Sequence, residues 1–182
     1  MPILATDAFL AAIGDDVVIG EFIRSDVSSR AGNFIQLVDF ETPDIVYLVQ
    51  STFERVAANA DEVSLMFYDR LFDQYPEVKP LFAGVDMANQ RAMLMQAIAS
   101  TVHAMHDADK IRGPLHELGR RHIAYGVKLI HYKAVGECLI WALEKFFGSD
   151  FVPELYIAWK ETYGILARMM IEGSMEVPGG SQ

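Results

Sequence analysis

The sequence predicts an all-α domain, on three observations. Apolar residues recur at helical spacings of three and four over most of the chain, as in Ile45, Val49, Phe53 and Val56. No alternating run of strand length bounded by hairpin signals occurs. The breaks between periodic stretches are short and carry turn residues, as at Pro76, Gly126 and Gly148-Ser149-Asp150. With 182 residues, 52% hydrophobic and 22% charged, the chain has the make-up of one globular domain. A domain of this length buries roughly 70% of its unfolded surface, enough core to enclose a cofactor.

Residues 1–41 are expected to form an acidic N-terminal extension, part ordered or docking. Seven acids (Asp7, Asp15, Asp16, Glu21, Asp26, Asp39, Glu41) stand against Arg24 and Arg30, a balance of −5 out of the chain's −10. Ala8–Ile13 can make a helical turn or two, and Asp26–Asn33 reads as a polar linker. Phe22, Ile23, Phe34 and Leu37 give this segment apolar groups to dock on the core or on another chain; a partly ordered tail is the plainer reading.

The main domain is expected over 42–174. Thr42-Pro43-Asp44 is a helix start, with Thr as N-cap and Pro at the first helical position, followed by the Ile45-to-Val56 stripe. Asp61 opens a second helix, Leu65–Phe72, which stops before Pro76, and Pro76–Ala83 is a connector. Asn89–Met105 makes the third long helix, with Leu94, Ile98, Thr101 and Val102 on one side. Pro114–Tyr125 follows, ended by Gly126; Tyr132–Phe147 and Val152–Ile171 are the last two. Residues 175–182 read as a C-terminal tail.

The net charge of −10 and pI near 4.8 exclude a basic patch large enough for nucleic acid or an anionic membrane. Nothing approaches the roughly 18 unbroken apolar residues of a membrane span. The N-terminus lacks the basic start of a secretion signal, so a cytoplasmic protein is expected. A single cysteine, Cys138, excludes an internal disulfide and a multi-cysteine metal site, and its apolar neighbours predict a buried, inert thiol.

Chemistry concentrates in LHELGRRHIAYGVKLIHY, Leu115 to Tyr132. Leu115, Leu118 and His122 share one helical face, apolar but for the imidazole, while Glu117, Arg120 and Arg121 point elsewhere. Such a histidine suits an axial iron ligand in a dry pocket, and equally a core or rim histidine. The pieces GRRHIAYGVK and HYKAVGECLIWAL resemble the proximal helix and following corner of globins, above all bacterial single-domain haemoglobins, flavohaemoglobin globin domains and neuroglobin. The likeness runs from about Thr42 to Glu172 with its motifs in family order.

That resemblance implies a globin fold, a 3-over-3 helical sandwich of about six to eight helices, and a haem b cofactor. His122 is then the iron ligand, with Leu118, Val127 and Tyr132 around it. FYDRLF…PLF…NQRAML resembles the distal side of flavohaemoglobin-type globins. There Tyr68 is the distal tyrosine, Phe82 the phenylalanine packed on the haem, Gln90 the distal polar residue and Leu94 the apolar wall over the iron. A phenol and an amide can steady O2 that carries partial negative charge. Such a bond contributes about 1.5–3 kcal/mol, so tight O2 binding is expected. An amide ligates iron poorly, leaving the sixth position open. His131, Arg91 and Lys128 are propionate candidates. Tyr132 matches a tyrosine that flavohaemoglobins couple to a glutamate, but Ser174 stands at the glutamate's place, flanked by Glu172 and Glu176. A serine supplies no charge-assisted push to the histidine.

The resemblance therefore implies reversible binding of O2, NO and CO, for oxygen binding and transport or for NO detoxification. NO dioxygenase turnover would need an external reductase, since no Gly-rich dinucleotide motif is present. The alternative is a haem-based gas sensor acting on a partner, or as a homodimer, through the N-terminal extension. A haem-free interaction module would keep the fold without iron, its central cavity filled or replaced by side chains, and the intact Tyr68, Phe82, Gln90 and His122 set argues against it.

Overall fold

A computed structural model of the chain describes residues 43–175, and they are helical throughout with short joints. Six α-helices run in order: α1 (Pro43–Ala58), α2 (Ala60–Gln74), α3 (Met87–Ala104), α4 (Ala108–Ala124), α5 (Leu129–Phe147) and α6 (Pro153–Met175). Two 3-10 helices intervene, Pro76–Phe82 after α2 and Gly148–Asp150 after α5. No strand occurs among the described residues. The expected readings of 1–41 and of the tail beyond Met175 lie outside them.

Pairing of the helices follows their apolar stripes. Ile45, Val49, Phe53 and Val56 are buried, and α1 lies on α6, where the Trp159 indole donates to Thr52 Oγ1 at 3.1 Å. Phe67, Tyr68 and Leu71 of α2 pack with Ala134, Cys138 and Ala142 of α5. Ile111 and Leu115 of α4 pack with Met169 of α6. Helix α3 packs on α1 and α2 and touches α4 only slightly. These pairings make the three-over-three sandwich, α1, α3 and α4 against α2, α5 and α6.

Two glycines set how α4 sits. A Cβ on Gly119 would lie 1.8 Å from the Met170 carbonyl oxygen, and one on Gly173 only 2.1 Å from His116 Cα. The α4 and α6 backbones therefore touch, and only glycine fits at the crossing. His122 sits three residues beyond it.

The structure corrects several element limits. Pro114 does not start α4; the helix begins six residues earlier at Ala108, where the Asp107 carboxylate accepts from the Lys110 backbone N–H. That turn has weak apolar periodicity, and Pro114 is accommodated inside the helix without its hydrogen bond. Helix α3 begins two residues before Asn89, because Asp86 caps the backbone N–H groups of Ala88 and Asn89. The connector after Pro76 is a 3-10 helix, α2 and α6 extend beyond their expected limits, and α5 starts three residues before Tyr132. Gly126 does end the α4 corner, at φ 81°, and Gly148 closes α5 at φ 56°.

Candidate functional site

The candidate site residues come from four helices and from the two joints that hold Phe82 and Val127. On α2, Tyr68 is 5% exposed, its ring edge-on to Phe67 at 4.8 Å and to Phe82 at 5.7 Å between centroids, and tilted to Phe72 at 5.8 Å. This aromatic packing fixes the ring and leaves the hydroxyl as its one polar handle. Gln90, on the first turn of α3, donates from Nε2 to Tyr68 Oη at 3.2 Å. Since the phenol oxygen accepts, its own proton remains available to a further acceptor. Burial raises the Tyr68 pKa, against a smaller lowering by the Gln90 bond and Arg91, so the phenol is neutral and a donor at physiological pH. Leu94 follows one turn later and packs against the same cluster as Phe82, both half-buried.

On α4, the imidazole of His122 is half-buried with Nδ1 2.8 Å from the Leu118 carbonyl oxygen. That carbonyl requires Nδ1 to carry the proton, which leaves Nε2 with the lone pair. Burial lowers the His122 pKa, with the nearby Arg121 guanidinium adding to the effect and the Leu118 bond opposing it. The ring is thus neutral at physiological pH, the form that ligates metals. Tyr132, on the first turn of α5, stacks beside it at 6.0 Å with the planes 26° apart. Leu118 and Val127 are half-buried, and the Val127 amide donates to the His122 carbonyl at 3.0 Å, tying the corner to the helix end.

Two polar groups of the candidate site lack hydrogen-bond partners among the described residues. The Tyr132 hydroxyl is buried with no hydrogen bond, and Ser174 turns its Oγ to the Ile171 carbonyl at 2.5 Å instead. The Tyr163 hydroxyl donates to the Tyr132 backbone carbonyl at 2.5 Å, which anchors α5 to α6. Arg91, next to Gln90, has its Nε buried with no partner. His131 is engaged by the Lys128 backbone N–H, which donates to its Nδ1 at 3.1 Å, and burial lowers its pKa.

The Tyr68–Gln90 and His122–Tyr132 contacts were not derivable from spacing alone, since each joins residues on two different helices. Asp86 is a positioning residue that the sequence reading missed: its cap sets where α3 begins and so the turn from which Gln90 projects. The signal was present as an Asp just before the helical run. Cys138 is buried, and burial pushes its thiol pKa up to about 11, as an inert core cysteine requires.

A sequence model of the globin family matches residues 65–170. The chain belongs to the globin family. Among curated globin relatives, a flavohaemoprotein of Rhodopirellula baltica is 31% identical over 144 residues, covering 74% of this chain and 35% of its own length. A flavohaemoprotein of Bacillus subtilis is 26% identical over 69% of this chain and 32% of its own length. This globin thus spans about a third of the flavohaemoproteins that it matches. A globin-like protein of Aquifex aeolicus is 29% identical over 70% of this chain and 90% of its own length. Two solved structures share the fold at TM-score 0.66: a bacterial globin from Campylobacter jejuni, 26% identical, and an engineered carbene transferase built on a Rhodothermus marinus protein named for nitric oxide dioxygenase activity, 25% identical. They cover 73% of this chain and 96% and 92% of their own. Family membership implies haem binding, and the candidate site residues fit it. A neutral imidazole has its Nε2 lone pair free of the Leu118 contact, apolar Phe82, Leu94, Leu118 and Val127 are only half-buried, and the buried Arg91 Nε suits a carboxylate. Among the described residues no helix is long and apolar enough to cross a membrane.

Proposed function

We propose that this globin would hold haem b through His122 Nε2 and bind O2, NO and CO reversibly. Haem iron, once bound, supplies reversible coordination of a diatomic gas. The protein supplies everything that selects among such gases. Leu118 fixes the His122 tautomer through the Nδ1 contact at 2.8 Å. Phe82 and Leu94 present apolar wall that excludes water. Tyr68 donates its phenolic proton to a gas ligand carrying partial negative charge, and Gln90 holds the phenol in place at 3.2 Å. Arg91, with its buried Nε unpartnered, would pair with a propionate.

The observation that carries this reading is the Tyr68–Gln90 hydrogen bond, a buried phenol with its proton free beside an apolar wall. It favours O2 over CO, because the more charged ligand gains more from a donor. High O2 affinity follows, for oxygen binding or for NO detoxification with an external reductase restoring the ferrous state. The flavohaemoprotein relatives and the Rhodothermus neighbour support the second use.

The test is the visible spectrum of the purified protein, ferric, dithionite-reduced, and after air or CO. The expected result is an intense Soret band, a five-coordinate ferrous form and a lasting oxy spectrum. No Soret band after added hemin would overturn the reading. A six-coordinate ferrous spectrum would overturn the open distal side.

A further inference from the structure

The corner between α4 and α5 stands apart from the rest of the chain in charge. From 118 to 136, between Glu117 and Glu137, nineteen residues include Arg120, Arg121, Lys128 and Lys133 and no acid, in a protein of net charge −10. The same corner exposes three large apolar side chains within eight residues: Ile123 at 48%, Tyr125 at 67% and Ile130 at 57%. The acids that face it leave a surplus of positive charge. Glu117 is held by Arg120 at 3.0 Å and lies 3.9 Å from Arg121, Lys133 lies 3.9 Å from Glu137, and Glu77 faces His131. Lys128 makes no ion pair among the described residues. Ile123, Tyr125 and Ile130 flank the turn at Gly126 that follows His122, so the patch lies at the end of the helix carrying the candidate iron ligand.

We infer that this corner is the docking surface for an acidic one-electron donor protein, an inference that rests on the haem reading above. Exposed apolar groups ringed by charge are the anatomy of a transient interface, and the local positive sign selects a partner of negative surface against the protein's own net charge. One electron passes from the donor to ferric iron, giving ferrous iron and oxidised donor; no covalent bond forms or breaks.

The probe is an acidic [2Fe–2S] ferredoxin with the full haem-loaded chain at low ionic strength. Its dissociation constant is read by calorimetry and its rate of reduction of the ferric form by stopped flow. Ile130→Glu and Ile130→Lys remove the same apolar contact and differ only in charge; the position is exposed on the first turn of α5, where an acid is favourable to the helix. The glutamate variant should bind at least about tenfold more weakly than the lysine variant, with the second-order rate falling in parallel. Raising salt from about 20 to 300 mM should weaken the wild type by a similar factor. Equal binding by the two variants, or salt-independent binding, overturns the proposal. So does a dimer of this chain abolished by Ile130→Glu without ferredoxin binding, which would give the corner to a second copy. The Soret band, read separately, reports the haem reading: ferredoxin binding through the corner without a Soret band would sink that reading alone, and haem uptake with an indifferent corner would sink only the docking surface.

Discussion

Removing one oxygen atom from Tyr68 isolates the distal hydrogen bond from everything else at the site. Tyr68→Phe keeps the ring and its contacts with Phe67, Phe72 and Phe82 at 4.8, 5.8 and 5.7 Å, so no cavity opens. It deletes the phenolic donor and leaves Gln90 Nε2 without its acceptor at 3.2 Å. A hydrogen bond to a charged group contributes about 1.5–3 kcal/mol, which is roughly ten- to a hundredfold in rate. The freed Gln90 amide can swing toward the ligand and recover about 0.5–1.5 kcal/mol of that, which places the single variant near tenfold. Tyr68→Phe combined with Gln90→Leu removes both donors and should reach the upper end. The assay is O2 displacement by excess CO in a stopped-flow instrument, with the ferrous protein. Stability checks the same bond from another side, because a neutral pair contributes only about 1 kcal/mol and its loss should lower Tm by about 2–4 °C. An unchanged O2 off-rate with an intact Soret band would refute the reasoning, since it would mean that the phenol does not face the ligand.

The proximal side predicts that Ser174→Glu gives the buried Tyr132 hydroxyl an acceptor and strengthens its hold on the histidine; the iron–histidine stretch in resonance Raman should rise, and an unchanged frequency would show that residue 174 does not reach Tyr132. Gly119→Ala should destabilise the fold by at least about 1–3 kcal/mol in urea unfolding, because its Cβ would sit 1.8 Å from the Met170 carbonyl oxygen, a backbone atom that cannot step aside. Gly84→Ala has open space around it, so only its φ of 77° matters and the cost should be near 1 kcal/mol. Burial raises the Glu161 pKa above 4.5, with Arg168 and Lys160 opposing, so the fold favours its neutral form. The associated stability is therefore present below pH 4.5 and lost as pH rises through the folded pKa. Glu161→Gln should be more stable than wild type at pH 7, with the gain vanishing near pH 4.

The helices that could be read from sequence are those whose burial is one-sided. Ile45, Val49, Phe53 and Val56 repeat at helical spacing because one stripe of α1 is buried, and each is. The opening of α4 failed for the opposite reason: Ala108–Gly113 shows little stripe, and its start is set by the Asp107 cap, a polar event that apolar periodicity does not record. At the site, motif order placed Tyr68, Phe82, Gln90, Leu94 and His122 together through resemblance, and spacing within one helix could supply only Leu115, Leu118 and His122. The Tyr68–Gln90 bond spans 22 residues, and the glycine crossing of α4 and α6 appears in sequence merely as two glycines within helical runs. Such contacts depend on how helices cross, which is fixed by the whole core.

The two halves of the candidate site differ in a way that bears on the proposed function. The distal pair is complete, with Gln90 donating to a phenol whose proton remains free. On the proximal side, the Tyr132 hydroxyl is buried without a partner, Ser174 bonds its own helix, and His122 meets a neutral backbone carbonyl. Neutral partners polarise an imidazole less than a carboxylate does, so on the proposed reading the histidine would donate less electron density toward iron. On the proposed haem reading, a strong distal donor would lower the rate at which O2 leaves, and a weak proximal push would leave the O–O bond unactivated. The combination favours retention of a gas over its breakage. Any consumption of NO would then depend on the retained O2 and on the supply of electrons, which makes the basic corner at Ile130 the place where a partner could set the rate.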